Sequence, residues 1–254
     1  MNKLQPKNPI LCALDTTELG DATVLAAKVG DIVGGIKLGL EFFCANGPKG
    51  VLQVMKASAL PIFLDLKLHD IPNTVAGAMR AAVALKPFIV TVHTGGGRKM
   101  MEAAVKAARE EVIDNAINPP LVIGITVLTS LDQEDLKEAG IARGLVTQAR
   151  KAALLAQSSG LDGVVCSPKE VALIRKDCGP KFKLITPGVR PSWAPMNDQK
   201  RVMSPAQAIA EGADYLVIGR PITAAKDPGS AAMRIADELS GTGPSNGTPA
   251  FDVA

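Results

Sequence analysis

The stretch that decides the fold is PIFLDLKLHDIPNTV, residues Pro61–Val75. It begins as a buried strand, because the apolar run Ile62–Leu64 directly follows a proline. Residues two apart on a strand point to the same face, about 6.6 Å from each other. We therefore expect Asp65 and Lys67 to project together into one space. Asp70 follows, past the predicted end of the strand.

Charges in a strand of this kind need an explanation, because burying a charge is costly unless it is paired. A salt bridge at the surface end of the strand would account for the spacing D-x-K-x-x-D alone. The longer string D-x-K-x-H-D-I-P-N-T, which starts at Asp65, is a much more specific pattern. It favours a functional site over a surface ion pair.

Outward from this stretch, short apolar runs alternate with longer helical patterns, which is typical of βαβ units and a parallel sheet. Eight runs are predicted as strands: Ile10–Leu14, Gly34–Leu38, Ile62–Leu66, Phe88–Val92, Leu121–Ile125, Gly163–Cys166, Lys183–Ile185 and Tyr215–Ile218. Helical patterns between them include Asp21–Val29, Ala76–Leu85, Met100–Val112 and Ala142–Ser159. The order predicts an α/β fold, a (β/α)8 TIM barrel.

The barrel is predicted to fill residues 1–240 as a single domain, an ordinary length for this fold. Ser167-Pro168 and Ser204-Pro205 predict helix starts, with proline at the first helical position. The segment 241–254, GTGPSNGTPAFDVA, is rich in Gly, Pro, Ser and Thr. We predict that it is a flexible C-terminal tail.

Composition limits the classes of partner and location. The net charge of +3 is too small to indicate nucleic acid. The four cysteines have no metal-binding spacing, and Cys12 and Cys166 lie in apolar runs as small core residues. The N-terminus lacks the apolar segment of a signal peptide, and no apolar run reaches the length of a membrane span. We therefore predict a cytoplasmic protein that binds neither nucleic acid nor membrane.

Four charged residues fall at the predicted carboxyl ends of the first three strands. Asp15 follows the first strand, Lys37 belongs to the second, and Asp65 and Lys67 belong to the third. Barrels of this kind carry their chemistry at these ends. A lone lysine could simply extend its stem to solvent, but packing alone does not explain four charges on three neighbouring strands.

Further candidates follow the later strands. The eighth strand ends in Gly219-Arg220, where many such barrels bind phosphate, and an arginine there can grip an anion with two donors. The glycines after His93, residues 95–97, could cradle a phosphate, although we favour a tight turn that lets a helix approach the sheet. Thr129 and Ser130 could bond a base amide or cap the helix ahead of Leu131, and both explanations stay open.

These motifs, taken in order from about Ile10 to about Leu239, resemble the orotidine 5'-phosphate decarboxylase family. The matching pieces are ALDT, IKLG, FLDLKLHDIPNTV, VHTGGG, VLTS, TPGVRP, DQKR and VIGRPIT. Residues 192–197 follow no pattern that we can assign, which leaves the conformation of that loop open. The resemblance implies decarboxylation of orotidine 5'-phosphate to uridine 5'-phosphate without cofactor or metal, by a homodimer with shared active sites.

The resemblance also implies roles for individual residues. Lys67 would protonate C6 of the pyrimidine, with Lys37, Asp65 and Asp70 completing an alternating charge network. Asp70, Ile71 and Thr74 would serve the other subunit's site. The remaining contacts would be Asp15 with Lys37 to the ribose, Thr129 and Ser130 to the base, and Arg190, Gln199, Gly219 and Arg220 to the phosphate.

Two alternatives are compatible with part of the pattern. A related magnesium-dependent barrel enzyme, such as a hexulose-phosphate synthase, shares D-x-K-x-x-D, but the continuation H-D-I-P-N-T and Lys37 count against it. An inactive phosphosugar-binding barrel would be expected to have lost part of the charge set. All four of its members, Lys37, Asp65, Lys67 and Asp70, are present here.

Overall fold

The eight predicted strands form one closed parallel barrel. The structure is a computed structural model that describes residues 6–115, 118–191, 193 and 203–241. Neighbours in sequence pair in parallel, and β8 pairs with β1, which closes the sheet. The strands are β1 (Ile10–Leu14), β2 (Gly35–Gly39), β3 (Ile62–Leu68), β4 (Ile89–His93), β5 (Leu121–Ile125), β6 (Gly163–Val165), β7 (Lys183–Pro187) and β8 (Tyr215–Ile218). The predicted (β/α)8 fold is confirmed, with strand ends that differ by at most two residues.

Helices follow the strands around the outside of the barrel. They are α1 (Leu19–Val29), α2 (Leu40–Ser58), α3 (Pro72–Val83), α4 (Gly97–Asn115), α5 (Gln133–Glu138), α6 (Leu145–Ser158), α7 (Val171–Cys178), α8 (Pro205–Ala210), α9 (Arg220–Thr223) and α10 (Pro228–Ser240). Short 3-10 helices span Thr94–Gly96 and Pro168–Glu170. Both predicted Ser-Pro starts are confirmed, because Ser167 and Ser204 each cap a helix whose first residue is proline.

The core has two layers. The larger one lies between strands and helices and is mostly aliphatic. The smaller one fills the inside of the barrel and consists of Leu11, Phe63, Ile89, Ile123 and Ile185, each at most 1% exposed. These side chains make the interior a packed core rather than a pore, so a ligand must bind at an open end.

The amino-terminal end of the barrel is tied together by charge. Asp214, just before β8, accepts hydrogen bonds from Arg175 at 2.5 Å and from Lys183 at 2.7 Å. Arg175 also donates to the carbonyl oxygens of Phe182 and Gly212. This network joins α7, β7 and the approach to β8 at the end opposite the predicted site, where barrel residues serve stability.

The other features predicted from composition can be compared directly. All four cysteines are free, and Cys12 and Cys166 are buried as predicted. None of the described helices is both long and apolar enough to cross a membrane. Gly241, the first residue of the predicted 241–254 tail, ends α10 in a left-handed conformation, and the rest of that tail, 242–254, lies outside the described residues.

Candidate active site

Four charged side chains meet at the carboxyl end of the barrel and alternate in sign. The Lys37 ammonium lies 3.0 Å from Asp15 Oδ1 and 4.0 Å from Asp65 Oδ2. The Lys67 ammonium lies 2.7 Å from the same Asp65 oxygen. The order is therefore Asp15, Lys37, Asp65, Lys67, with each charge beside one of opposite sign. The structure thus brings together the four charged residues that the sequence placed at the ends of neighbouring strands.

Burial makes this pairing necessary. Lys37 is 8% exposed, and the side chain of Asp65 is 13% exposed. A charge removed from water to this extent needs partners, and each of these two has an oppositely charged neighbour on both sides. Asp15 is more open, with 59% of its side chain exposed. The set therefore runs from the rim at Asp15 to a drier interior at Asp65.

The backbone of β3 breaks its alternation at the charged residues. Its pairing with β4 runs through Leu64 and Val90 and resumes at Leu68 and Val92, so residues 65–67 lie opposite a single residue of β4. Within this bulge Lys67 has φ of +50°, in the left-handed region. Such a conformation costs a non-glycine residue about 1–3 kcal/mol and is concentrated at functional sites.

The single residue opposite the bulge is Thr91, which sequence reasoning missed. Its side chain is fully buried, its hydroxyl donates to Asp65 Oδ1 at 3.0 Å, and it accepts from the Lys67 backbone N–H at 2.9 Å. The available signal was a hydroxyl in the middle of the apolar run IVTVH, on the strand next to Asp65. A buried hydroxyl in such a run needs hydrogen-bond partners.

A cavity of about 300 Å³ opens over the charged set, which is the size of a small-molecule site. Its wall holds the four charged residues together with the loops that follow the later strands. The predicted residues in this wall are Asp15, Lys37, Asp65, Lys67, Thr129, Arg190, Gly219 and Arg220. Arg190, 7% exposed, and Arg220 therefore face the same space as the alternating charges.

Other predicted site residues do not line this cavity. Asp70, Ile71, Thr74 and Ser130 are exposed, and none of them belongs to the wall. Asp70 Oδ1 accepts a hydrogen bond from the Ile71 backbone N–H, and Ile71 is 66% exposed. Gln199 lies outside the described residues, as does most of the 192–197 loop.

The glycine-rich turn after β4 is the tight turn that we favoured. A Cβ on Gly96 would lie 2.2 Å from the sulfur of Met100, a buried residue of α4. Glycine at this position therefore lets α4 pack close to the turn. The residues of the turn do not line the cavity over the charged set.

His93 is an oriented polar residue beside this turn. Its Nδ1 accepts from the Gly95 backbone N–H at 3.0 Å, and its ring stacks on His69 with centroids 5.0 Å apart. Burial lowers the pKa of His93 below its usual 6.5, and the nearby His69 and Lys67 lower that pKa further. The neutral ring is thus favoured, consistent with its role as an acceptor.

The helix after β5 is capped by neither of the two hydroxyl residues considered for that role. Asp132 caps α5, accepting from the backbone N–H groups of Glu134 at 2.8 Å and Asp135 at 3.1 Å. The capping explanation for Thr129 and Ser130 is therefore wrong. Thr129 instead lies in the cavity wall.

A (β/α)8 barrel that holds paired lysines and aspartates beside two arginines at the carboxyl ends of its strands belongs to the enzymes of this fold that act on small anionic substrates. Within that class, the chain belongs to the orotidine 5'-phosphate decarboxylase / HUMPS family, whose family model matches residues 8–235.

Individual relatives agree with this assignment over nearly the whole chain. The orotidine 5'-phosphate decarboxylase of Rhodospirillum rubrum is 58% identical over 92% of this chain and 95% of its own length. The protein of the same name from Moorella thermoacetica is 50% identical over 94% and 95%. The crystal structure of orotidine 5'-phosphate decarboxylase from Lactobacillus acidophilus is 32% identical, with a TM-score of 0.81 over 92% of this chain and 99% of that one.

Proposed function

We propose that the alternating charges at the mouth of this barrel decarboxylate orotidine 5'-phosphate to uridine 5'-phosphate and CO2, the last step of UMP synthesis. The observation that carries the proposal is the arrangement of the Lys67 ammonium, 2.7 Å from Asp65, in one cavity with Arg190 and Arg220. The reaction needs a cation where negative charge develops and a separate anion clamp. This cavity has residues suited to both tasks.

The chemistry follows from the charge that the reaction creates. The bond between C6 and the carboxylate breaks, CO2 leaves, and the electron pair remains on C6 as a carbanion. The positive charge of Lys67 stabilises that carbanion where it forms, in a site shielded from water. Lys67 then transfers a proton to C6 as general acid. Water returns a proton to the lysine after the product leaves.

The neighbouring residues prepare Lys67 for this task. Asp65 lies 2.7 Å from the ammonium and holds it in position by charge and hydrogen bonding. Lys37 lies 4.0 Å from the same oxygen of Asp65. Its positive charge balances the carboxylate that the substrate brings next to Asp65. Asp15, hydrogen-bonded to Lys37, is exposed enough to accept a hydrogen bond from a ribose hydroxyl.

The two ends of the nucleotide are assigned to two parts of the wall. Thr129, in the cavity wall, and Ser130 next to it bind the base, and Arg190, Gly219 and Arg220 bind the phosphate, joined by Gln199. Arginine suits the phosphate because its planar fork offers paired donors. Binding energy from the phosphate, remote from C6, can then position the base against Lys67.

We further propose that the enzyme is a homodimer with shared sites. Asp70, Ile71 and Thr74 are exposed and lie outside their own chain's cavity wall, so a second copy can receive them. Ile71, an apolar side chain at 66% exposure, is of the kind that an interface buries. In this arrangement Asp70 completes the alternating network of Lys37, Asp65 and Lys67 in the partner subunit's site.

The four free cysteines fit a reducing compartment such as the cytoplasm.

The decisive experiment is an ultraviolet assay of the purified protein with orotidine 5'-phosphate in excess chelator. We expect conversion to uridine 5'-phosphate with one CO2 released per turnover, and no conversion by the Lys67→Ala variant. Synthase activity that needs added magnesium, with no decarboxylation, would identify the hexulose-phosphate synthase branch instead. Tight nucleotide binding without turnover would identify an inactive binding barrel.

A further inference from the structure

Thr91 connects both members of the Lys67–Asp65 pair through a single hydroxyl. A hydroxyl has one hydrogen to donate and two lone pairs that accept. Thr91 donates a hydrogen bond to Asp65 Oδ1 at 3.0 Å and accepts one from the backbone N–H of Lys67 at 2.9 Å. Its donor and one acceptor site are thus engaged by Lys67, which is proposed to act on C6, and by Asp65 beside it.

The first bond gives the two oxygens of the Asp65 carboxylate different partners. Oδ1 is occupied by Thr91, while Oδ2 lies 2.7 Å from the Lys67 ammonium and 4.0 Å from that of Lys37. The hydroxyl therefore fixes the orientation of the carboxylate plane, with one oxygen toward the two cations. Without it, the carboxylate could rotate about its Cβ–Cγ bond and turn away from the two ammoniums.

The second bond holds the bulge of β3. Ladder pairing with β4 is interrupted between Leu64 and Leu68, and the N–H of Lys67 in this gap is bonded to the Thr91 side chain. Lys67 also has a left-handed backbone, with φ of +50°, which persists only where its surroundings enforce it. The Thr91 hydroxyl is one such constraint at that position.

We propose that Thr91 is a positioning residue: its hydroxyl sets the Asp65 carboxylate and the Lys67 backbone so that the ammonium faces the reacting carbon. The proposal rests on the proposed function for the kinetic consequence, but the geometry that it describes can be measured without activity. An alternative is that Thr91 only fills space in the barrel, where it is fully buried. Valine has the same shape without the hydroxyl, so it separates these two roles.

The kinetic test compares Thr91→Val with Thr91→Ser. A misplacement of about 1 Å costs around 100-fold in rate, so we expect kcat of Thr91→Val to fall about that far. Its affinity for uridine 5'-phosphate should change by no more than about threefold, under 1 kcal/mol, because Arg190, Gly219 and Arg220, the residues proposed to bind the phosphate, are unchanged. Thr91→Ser keeps the hydroxyl and should recover most of the lost rate.

A matched control is Thr94→Val. Thr94 is also a buried threonine, 4% exposed, and its hydroxyl donates to the Ile125 carbonyl at 2.7 Å and not to any of the four charged residues. This variant should lose thermal stability but keep its kcat. If Thr91→Val keeps wild-type kcat, or if Thr91→Ser is as impaired as Thr91→Val, the positioning role is overturned.

Amide hydrogen exchange at Lys67 measures the bond between its backbone N–H and the Thr91 hydroxyl directly. We expect its N–H to be protected in the wild type and in Thr91→Ser and to exchange faster in Thr91→Val, with no change in Thr94→Val. Unchanged protection in Thr91→Val would overturn the proposal. A wild-type protein that shows the expected protection but does not decarboxylate would instead overturn the proposed function and leave the geometry of Thr91 standing.

Discussion

The ammonium of Lys67 lies 2.7 Å from Asp65 Oδ2, although the backbone between the two residues does not follow a regular strand. A regular strand would place both side chains on one face about 6.6 Å apart. The bulge opposite Thr91 and the left-handed backbone of Lys67 replace that regular spacing. The pair therefore forms across a bulge, and the alternation of the strand alone does not describe its geometry.

The first prediction concerns Lys67. We expect Lys67→Ala to lower kcat by more than the usual 10²–10⁴-fold for a general acid, because the same ammonium also stabilises the carbanion. Asp65 still has Lys37, 4.0 Å away, as a cationic partner in this variant, so the protein should remain folded. Steady-state turnover of orotidine 5'-phosphate and a thermal melt measure the two effects. Turnover within about tenfold of wild type, roughly 1.4 kcal/mol, would exclude Lys67 from both roles.

The fold could be read from the sequence because each element carries its own signal. The apolar runs that became β1, β5 and β8 have the predicted ends. Where ends differ, tertiary context decides: β3 continues to Leu68 because its pairing with β4 resumes beyond the bulge. No local pattern in LDLKL indicates that bulge, because apolar and charged residues alternate there as in a regular strand.

The site was predictable only in part, for a physical reason. Charges at strand ends are visible in the sequence, so Asp15, Lys37, Asp65 and Lys67 were found. Thr91 was missed because its role depends on a register that only the folded β3–β4 pair defines. The predicted role of Asp70 needs a second chain, so a single barrel leaves it as a prediction.

The second prediction tests the phosphate end of the cavity. Arg220→Ala should weaken the binding of uridine 5'-phosphate by about 10–100-fold, the value of a charge-assisted contact of about 1.5–3 kcal/mol. Binding of uridine, which lacks the phosphate, should hardly change. Inhibition constants for both ligands measure the difference. Arg98→Ala, which removes an exposed arginine that bonds the Ser158 carbonyl on the outer helices, controls for net charge, and an equal loss for both ligands would make Arg220 structural.

The third prediction concerns pH and His93. Its folded-state pKa is lowered from the usual 6.5, first by burial, so below that value the unfolded chain binds a proton that the folded one resists. The stability from this residue is therefore complete above pH 6.5 and is lost as the pH falls toward the folded pKa. The slope is at most about 1.4 kcal/mol per pH unit, reduced by solvent screening at this half-buried ring.

His93→Asn isolates this contribution, because asparagine can accept the Gly95 N–H as an Asx turn does without titrating. We expect the free energy of unfolding of the wild type, relative to the variant, to decline between about pH 7.5 and 5.5. Urea unfolding at several pH values measures it. Groups common to both proteins, such as Glu170, whose pKa burial raises, cancel in the difference. Parallel pH profiles would show that His93 does not titrate differently on folding.

The fourth prediction separates stability from activity. Arg175→Met should remove the bonds to Asp214, Phe182 and Gly212 and leave Asp214 with Lys183 alone as its cationic partner among the pairs described here. Each hydrogen bond from a charged group is worth about 1.5–3 kcal/mol, so losing several of them should cost about 3 kcal/mol or more, which corresponds to a fall in Tm of about 6–12 °C for a chain of this size. Activity at 25 °C should remain, because the network lies at the opposite end of the barrel.

Differential scanning calorimetry and kcat measure these two outcomes. The control is Arg150→Met, which breaks an exposed bidentate pair with Asp177 and should cost much less, because surface ion pairs contribute little. An equal fall in Tm for both variants would contradict the role given to the network at the amino-terminal end. A large loss of kcat in Arg175→Met alone would show that the two ends of the barrel are coupled.

The last prediction concerns the shared site. Asp70 is exposed and lies outside the wall of its own chain's cavity, whereas Lys67 lies within that wall. If Asp70 serves the partner subunit, Lys67→Ala and Asp70→Ala each spoil both sites of their own homodimer. In a mixed dimer, one site receives both defects, and the other takes Lys67 from one chain and Asp70 from the other. That second site is whole.

Mixing the two inactive variants under conditions of subunit exchange should therefore restore activity. Random pairing makes about half of the dimers mixed, so about one quarter of all sites should recover, by the symmetry of an isologous dimer. Decarboxylation by the mixture, compared with each variant alone, measures the gain, and native mass spectrometry of chains of distinct mass confirms the exchange. A mixture of Lys67→Ala with Lys67→Ala carrying a mass tag should gain nothing. Exchange without any regain in the first mixture would mean that Asp70 acts in its own subunit, because every mixed dimer would then contain no intact site.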